Sequence, residues 1–176
     1  MHRMPLDQIR SRRIHLGHDY WNQIRGERPM PARADFNPID VPSLLPYIML
    51  SDVFYDPLRI RYRLVGTRIS EIEGQDLTGK WIDEDAWPED LEAWYEDYRI
   101  VTQSRAPLFG RDDLVYPERS HIGYEWALLP LSNDGQTVNM ILEVIVFEKE
   151  PELVHYPLKD RKAAKVRPLE ADPSDG

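Results

Sequence analysis

The most informative stretch of the chain covers residues 123–147 and reads GYEWALLPLSNDGQTVNMILEVIVF. Two apolar segments, at about 123–131 and 138–147, are joined by Ser-Asn-Asp-Gly, and Asp-Gly is a strong signal for the turn of a β-hairpin. The stretch therefore predicts two antiparallel strands. If Glu125 and Glu143 mark the solvent side, alternation along the strands places an apolar set on the inward side. That inward set is Tyr124, Trp126, Leu128, Met140, Leu142 and Val144.

Three more strands and several helices are predicted upstream of this hairpin. Residues 47–54 and 59–66 flank Tyr-Asp-Pro at 55–57, and Arg and apolar residues alternate strictly along the second segment. A further strand is predicted at 107–116. Apolar residues at helical spacing predict a helix at 88–103. A shorter helix is predicted from Thr67 to Glu73, where Gly74 ends it. This order predicts an α+β fold, a five-stranded antiparallel sheet with short helices on one face.

The N-terminal part of the chain predicts an amphipathic helix and a connector. Residues 5–26 place Leu16, Tyr20, Trp21 and Ile24 on one helical face. Five prolines then fall within 27–46, which indicates an extended segment that wraps over the core. We therefore divide the chain into the helix and connector at 1–46, a core at 47–150, and a polar tail at 151–176 that we expect to be largely disordered.

Composition and charge exclude several classes of function. The 176 residues include no Cys, which removes disulfides, thiolate catalysis and a cysteinyl-flavin photocycle, and the net charge is −9. Residues 34–147 carry 9 basic and 21 acidic residues, so we expect no binding to nucleic acid. No apolar run is long enough for a membrane span or signal peptide, which favours a cytoplasmic location.

Two groups of charges allow more than one interpretation. Residues 1–33 carry seven Arg against three acidic residues, so this segment either docks on an acidic surface, such as the chain's own body, or forms a solvated helix. Residues 83–97 carry eight acidic residues and no Lys or Arg. They lack the spacing of a calcium loop, so we interpret them as the solvated start of a helix.

The element order and four blocks of sequence resemble a known family. The blocks are the Tyr-Trp and Pro-rich segment at 20–46, Asp-Pro-Leu-Arg-Ile-Arg-Tyr-Arg-Leu-Val-Gly-Thr at 56–67, Gly-Gln-Asp-Leu-Thr-Gly-Lys at 74–80, and Leu-Pro-Leu-Ser-Asn-Asp-Gly at 129–135. In this order they resemble a PAS-like family of unknown function found in alphaproteobacteria. The resemblance covers about 18–147 and implies a sensor module of bacterial signalling, without a defined ligand.

A PAS-like layout implies a cavity between the sheet and its helices. Such sites are mostly apolar with a few polar anchors, and buried Tyr and Trp need hydrogen-bond partners that a ligand, the backbone or water can supply. Flavin or a small carboxylate is conceivable, with Arg111 or His121 as the anion's partner. Heme is not expected, because no His lies on an inward helical face. The pocket candidates are Tyr62, Trp81, Tyr95, Tyr98, Arg111, His121, Tyr124, Trp126 and Met140.

The sequence carries no catalytic triad, phosphate loop or metal-binding set, so we expect neither an enzyme nor a metal site. The face of the sheet opposite the cavity is also predicted to carry apolar residues, which would form an exposed apolar patch if nothing covered them. The N-terminal helix can cover this face within one chain or across a homodimer. Candidates for that interface are Leu16, Tyr20, Trp21, Ile24, Leu129, Ile141 and Ile145. We expect a homodimeric sensory module that signals in trans through a partner protein. A ligand-free adaptor and a small enzyme that uses the cavity are the alternatives.

Overall fold

The computed structural model describes residues 2–85, 88–116 and 119–148. These residues form one antiparallel sheet with the strand order β1-β4-β5-β6-β2-β3. Its strands are β1 (His2–Arg3), β2 (Ile48–Phe54), β3 (Arg59–Val65), β4 (Leu108–Tyr116), β5 (Arg119–Leu131) and β6 (Met140–Phe147). The α+β class is confirmed, and the described sheet has one strand more than predicted, because two N-terminal residues pair with β4. The tail expected at 151–176 lies outside the described residues.

In the described residues, four helices and four short 3-10 turns accompany the sheet. The helices are α1 (Arg12–Arg25), α2 (Thr67–Glu73), α3 (Ile82–Asp85) and α4 (Pro88–Ser104), and the turns are Leu6–Gln8, Arg33–Asp35, Pro38–Asp40 and Pro42–Tyr47. Helix α1 ends at Gly26 as predicted, since Gly26 takes a φ of 56° that favours glycine. It begins later than predicted, because the preceding chain forms a separate 3-10 turn. Within the described residues, no helix is long and apolar enough to cross a membrane.

Helix α1 covers one face of the sheet within the same chain. A Cβ atom on Gly17 would lie 2.9 Å from Cγ2 of Val144, so only glycine lets the helix approach this closely. The indole Nε1 of Trp21 donates a 2.8 Å hydrogen bond to the carbonyl oxygen of Pro130. The sequence allows this face to be covered by the N-terminal helix of the same chain or of a second copy. In the structure, α1 of the same chain covers it.

The predicted facing of β6 is wrong by one residue. Trp126 lies opposite Ile145, and Leu128 lies opposite Glu143. Directly opposed residues share a face, so Glu143 is on the side of Trp126, not on the solvent side. Acidic residues do not mark the solvent side of these strands, since both Glu125 and Glu143 are buried.

Short segments occupy both edges of the sheet. At one edge, β1 pairs with β4, and the amide of Met4 donates to the carbonyl oxygen of Phe109 at 3.0 Å. At the other edge, the segment 79–81 lies along β3. The amide of Gly79 donates to the carbonyl of Tyr62 at 2.7 Å, and the amide of Tyr62 donates to the carbonyl of Lys80 at 3.0 Å.

Candidate functional site

A cavity of about 100 Å³ lies between the sheet and helices α2 and α4. About three water molecules take up the same volume in liquid water. Its walls are aromatic and apolar side chains together with three carboxylates. They are Met49, Tyr62, Ile69, Glu73, Leu77, Trp94, Asp97, Tyr98, Tyr124, Trp126, Leu128, Glu143, Ile145 and Phe147. The described part of this wall contains no Lys, Arg or His.

The cavity is closed at one end and open at the other. Tyr62 and Tyr98 are buried at the closed end, whereas Trp94, Tyr124 and Phe147 keep intermediate exposure. The rings of Tyr124 and Phe147 lie 5.9 Å apart, centroid to centroid, in a tilted arrangement. Partly exposed aromatic rings therefore border the cavity on its solvent side.

Glu143 is buried at the closed end and is held by two hydroxyl groups. Ser51 Oγ donates a short hydrogen bond to Glu143 Oε1, and the Tyr98 hydroxyl also hydrogen-bonds to this carboxylate. Burial raises the pKa of Glu143 to about 7, although both hydrogen bonds oppose that shift. Burial, together with the nearby Glu143, raises the pKa of the Tyr98 phenol well above its ordinary value. Glu143 therefore changes its protonation near neutral pH.

Asp97 lies on the cavity side of α4 with one carboxylate oxygen unpaired. It is 2% exposed, and its Oδ2 atom has no hydrogen-bond partner within the described residues. Its Oδ1 atom accepts a 2.5 Å hydrogen bond from Arg3 Nε. Burial raises the pKa of Asp97, and Arg3 opposes that shift. A buried acceptor without a partner costs free energy, and among the described residues of the cavity wall Asp97 is the one with such an acceptor.

Arg3 links this cavity to the start of the chain. It belongs to β1, where it lies opposite Gly110 of β4. A Cβ on Gly110 would lie 2.2 Å from the indole of Trp126, so the indole packs directly against the backbone at this point. The side chain of Arg3 is 42% exposed, while that of Asp97 is 3% exposed. The interaction of the basic N-terminus with the acidic body is thus a specific ion pair at the cavity.

Glu125 makes a second link on the opposite side of β5. It lies between two cavity residues, Tyr124 and Trp126, and its side chain points to α1. Its carboxylate accepts hydrogen bonds from the amides of Arg10 at 3.0 Å and Ser11 at 2.7 Å. These amides lie at the start of α1, where unpaired N–H groups and the helix dipole favour a negative charge.

The structure brings together four of the predicted pocket residues and places four elsewhere. Tyr62, Tyr98, Tyr124 and Trp126 line the cavity, while Trp81, Tyr95, Arg111 and Met140 are not in its wall. Trp81 stacks under Arg59, whose Cζ lies 3.8 Å from the ring centroid. Arg111 binds Glu148 through Nε at 2.6 Å. The side chain of His121 lies outside the described residues. Arg111 is therefore paired with Glu148 outside the cavity wall, so it is not in place to bind an anionic ligand in the cavity as predicted.

The predicted interface residues do not form one surface. Tyr20, Trp21, Leu129 and Ile141 are buried within one chain, and Ile145 lies in the cavity wall. Leu16 is 42% exposed and Ile24 is half-buried. A dimer that uses the whole predicted set would require α1 to leave the sheet, and dimerisation stays a prediction.

Three acidic wall residues were missed by the sequence analysis. The prediction of a solvated acidic cluster at 83–97 is wrong for Asp97, because this residue is buried. The helical spacing of Trp94, Asp97, Tyr98 and Val101 was the signal that could have placed it on the inner face. Glu143 stands alone in an apolar strand, which is the corresponding signal for a buried acid. No signal of this kind distinguishes Glu73.

Among the described side chains, no group of three or more His, Cys, Asp or Glu is arranged to hold a metal ion. The geometry instead suits a small organic molecule. Aromatic side chains line the cavity, and its wall also contains carboxylates and phenols that can make polar contacts.

Comparisons with known proteins bear on the fold and the family. A solved structure that is similar to this chain is an RNA-binding light-oxygen-voltage receptor, with 13% sequence identity and a TM-score of 0.44. The match covers 68% of this chain and 36% of that chain, so this chain spans about a third of the receptor's length. No curated protein matches the sequence. The family model for the PAS domain matches residues 10–146, which include α1, the described strands from β2 to all but the last residue of β6, and every described residue of the cavity wall except Phe147. The chain belongs to the PAS domain family.

Proposed function

We propose that this chain is a sensory module that binds a small molecule in the sheet–helix cavity and signals in trans through a partner protein. Membership in the PAS domain family supports a sensory or signalling role in general. The observation that carries the proposal is the cavity with its unpaired Asp97 oxygen. A buried acceptor that lacks a protein partner is a place where a ligand can supply the missing hydrogen bond.

The binding state is passed on through the N-terminal segment. A ligand that bonds to Oδ2 of Asp97 shares this carboxylate with Arg3, which bonds to Oδ1 and belongs to β1 at the sheet edge, so binding weakens the ion pair of Arg3. A ligand that moves Trp126 also moves its neighbour Glu125, whose carboxylate caps the start of α1. Both routes change how β1 and α1 sit on the sheet, so the equilibrium between two N-terminal arrangements depends on occupancy.

The partner contacts α1 on its outer side. Leu16 and the neighbouring Arg12 and Arg13 are exposed there, and Ile24 is half-buried. This surface combines apolar and basic side chains, which favours a partner with an acidic rim around an apolar patch. Homodimerisation and a cytoplasmic location stay predictions from the sequence.

The adaptor alternative requires a core filled by side chains, and the cavity argues against it. One observation favours the enzyme alternative: Asp97 and Glu143 line the same cavity, and both have raised pKa values. Carboxyl groups of this kind can exchange protons with a bound molecule. An enzyme would release a chemically changed molecule, whereas a sensor would release it unchanged.

Native mass spectrometry of the purified chain, before and after denaturation, tests the proposal. We expect a retained small-molecule mass that is lost in Ile145→Phe, because the added ring enters the cavity. Leu16→Phe adds a ring at an exposed site of α1 and should keep that mass. If the wild-type chain carries no added mass and Ile145→Phe raises its stability without another effect, the cavity is a packing defect and the proposal fails.

A further inference from the structure

The cavity selects its ligand by charge. From the residues described above, we infer that it binds a small organic cation, such as an ammonium, amidinium or guanidinium group, with Asp97 as its counter-ion. This inference rests on the proposed function, because it names the ligand class of the same cavity.

The first argument is the charge of the wall. Glu73, Asp97 and Glu143 contribute three carboxyl groups, and the wall's described residues include no basic side chain. The basic side chain that reaches Asp97 is Arg3, which engages Oδ1 and leaves Oδ2 unpaired. A cation with N–H donors satisfies Oδ2 and compensates buried negative charge, whereas an anion would add to that charge.

The second argument is the aromatic part of the wall. Trp94, Tyr98 and Trp126 line the same cavity as the carboxylates, together with Tyr62 and Tyr124. The faces of such rings attract a cation within about 6 Å of their centroids. Trp, the most favourable of these rings, occurs twice. Aromatic faces and a buried carboxylate together recognise a cation that is partly apolar.

The third argument is how Asp97 is held. Helix α4 carries it between Trp94 and Tyr98, so the carboxylate is fixed on a regular element that contacts β5 through packed side chains. Glu143 is engaged by Ser51 and Tyr98, so its oxygens are already hydrogen-bonded. Asp97 is therefore the wall carboxylate with a buried oxygen free for the ligand. The cavity volume of about 100 Å³ restricts the ligand to a small ion.

A set of three molecules of matched shape tests the charge selection. Acetamidinium, acetamide and acetate are planar and nearly equal in size, but they are cationic, neutral and anionic. Isothermal titration of the full chain, with tryptophan fluorescence as a second readout for Trp94 and Trp126, gives their affinities at equal ionic strength. We expect acetamidinium to bind at least about tenfold more tightly than acetamide, which corresponds to about 1.4 kcal/mol of binding free energy. Acetate should not bind, because its charge has the same sign as that of Asp97.

Substitutions assign the selection to Asp97. Asp97→Asn keeps the shape and removes the charge, so it should lower acetamidinium affinity at least tenfold and leave acetamide affinity unchanged. Glu96→Gln is the matched control, since Glu96 is the exposed neighbour on α4 and pairs with Arg99. If Asp97→Asn does not fold by circular dichroism, Asp97→Ser replaces it, since it also removes the charge, with the same expected loss of cation preference.

The outcomes separate this inference from the proposed function. If acetamide or acetate binds as tightly as acetamidinium, the cavity is a ligand site but the cation inference is wrong. If none of the three binds while the purified chain retains a mass that Ile145→Phe loses, the cation inference is again wrong and the proposed function stands. If none binds and no mass is retained, both fail. Equal effects of Asp97→Asn and Glu96→Gln would also overturn the assignment to Asp97.

Discussion

The two faces of the sheet carry buried acidic residues with opposite consequences. On the α1 face, Glu125 accepts hydrogen bonds from two backbone amides, and the helix lies so close that Gly17 has no room for a side chain. On the cavity face, Asp97 keeps an unpaired oxygen beside open volume. Among the described residues, the buried acid on the α1 face has hydrogen-bond partners and close packing around it, whereas the cavity face keeps one unpaired acceptor and open volume. The difference indicates that the α1 face contributes more to stability, and it is consistent with the ligand site proposed on the cavity face.

The largest expected difference between the faces is the cost of removing an indole. Trp21→Ala removes a side chain that is 3% exposed, together with its hydrogen bond to Pro130, and should lower the free energy of unfolding by about 3–5 kcal/mol. Trp94→Ala removes a partly exposed ring beside existing volume and should cost about 1–2 kcal/mol. Urea denaturation of both variants measures the two losses. Equal losses would mean that the faces do not differ in packing.

The second comparison uses the two buried glutamates and pH. The pKa of Glu143 is raised from 4.5 to about 7 in the folded chain, so the folded state holds more protons than the unfolded state between these values. Stability should therefore fall as pH rises from 4.5 to 7, by roughly 3 kcal/mol for this group. Glu143→Gln should remove this decline, and its stability relative to the wild type should increase over that range.

Glu125→Gln is the counterpart on the other face. It weakens the cap at Arg10 and Ser11 and should destabilise the chain by about 1 kcal/mol, the usual size of a lost cap. Urea denaturation at several pH values from 5 to 8 measures both variants. If the curve of Glu143→Gln runs parallel to that of the wild type, burial does not perturb Glu143 as described.

The smallest expected effect on stability is that of removing the ion pair between Arg3 and Asp97. Arg3→Gln breaks the ion pair with Asp97 and should cost less than about 1 kcal/mol, because Gln still offers Asp97 an N–H donor and burial raises the pKa of Asp97 towards its neutral form. Hydrogen exchange at the Met4 amide, which bonds to Phe109, should nevertheless become faster as β1 loosens. Arg99→Gln removes exposed ion pairs of α4 and serves as the control. Unchanged exchange at Met4 would show that Arg3 does not hold β1.

The sequence predicts the regular parts of this fold well. The alternation from Arg59 onwards, the Asp-Pro turn and the helix that ends at Gly74 correspond to β2, β3 and α2. The strand β1 could not be predicted, because two residues carry no periodicity and depend on pairing with β4. The later start of α1 has a similar cause, since Glu125, more than a hundred residues away, binds the amides at its start.

The candidate site was only partly predictable for a related reason. The aromatic residues Tyr62, Tyr98, Tyr124 and Trp126 follow from alternation and helical spacing. The acidic residues did not, because charge usually marks solvent, and only the register between β5 and β6 shows that Glu143 lies beside Leu128. Position along a helix or strand is encoded locally, whereas the partners that make a buried charge tolerable come from distant parts of the chain.

The occupied sheet edges have a consequence for how this protein can associate. A strand with unpaired N–H and C=O groups is a template for pairing with another chain, and here β1 and segment 79–81 each cover one edge. The cover at 79–81 is part of a continuous loop between α2 and α3, whereas β1 is only two residues long. Release of β1 would uncover the backbone of β4 at Gly110, and a partner's strand could then extend the sheet by main-chain hydrogen bonds.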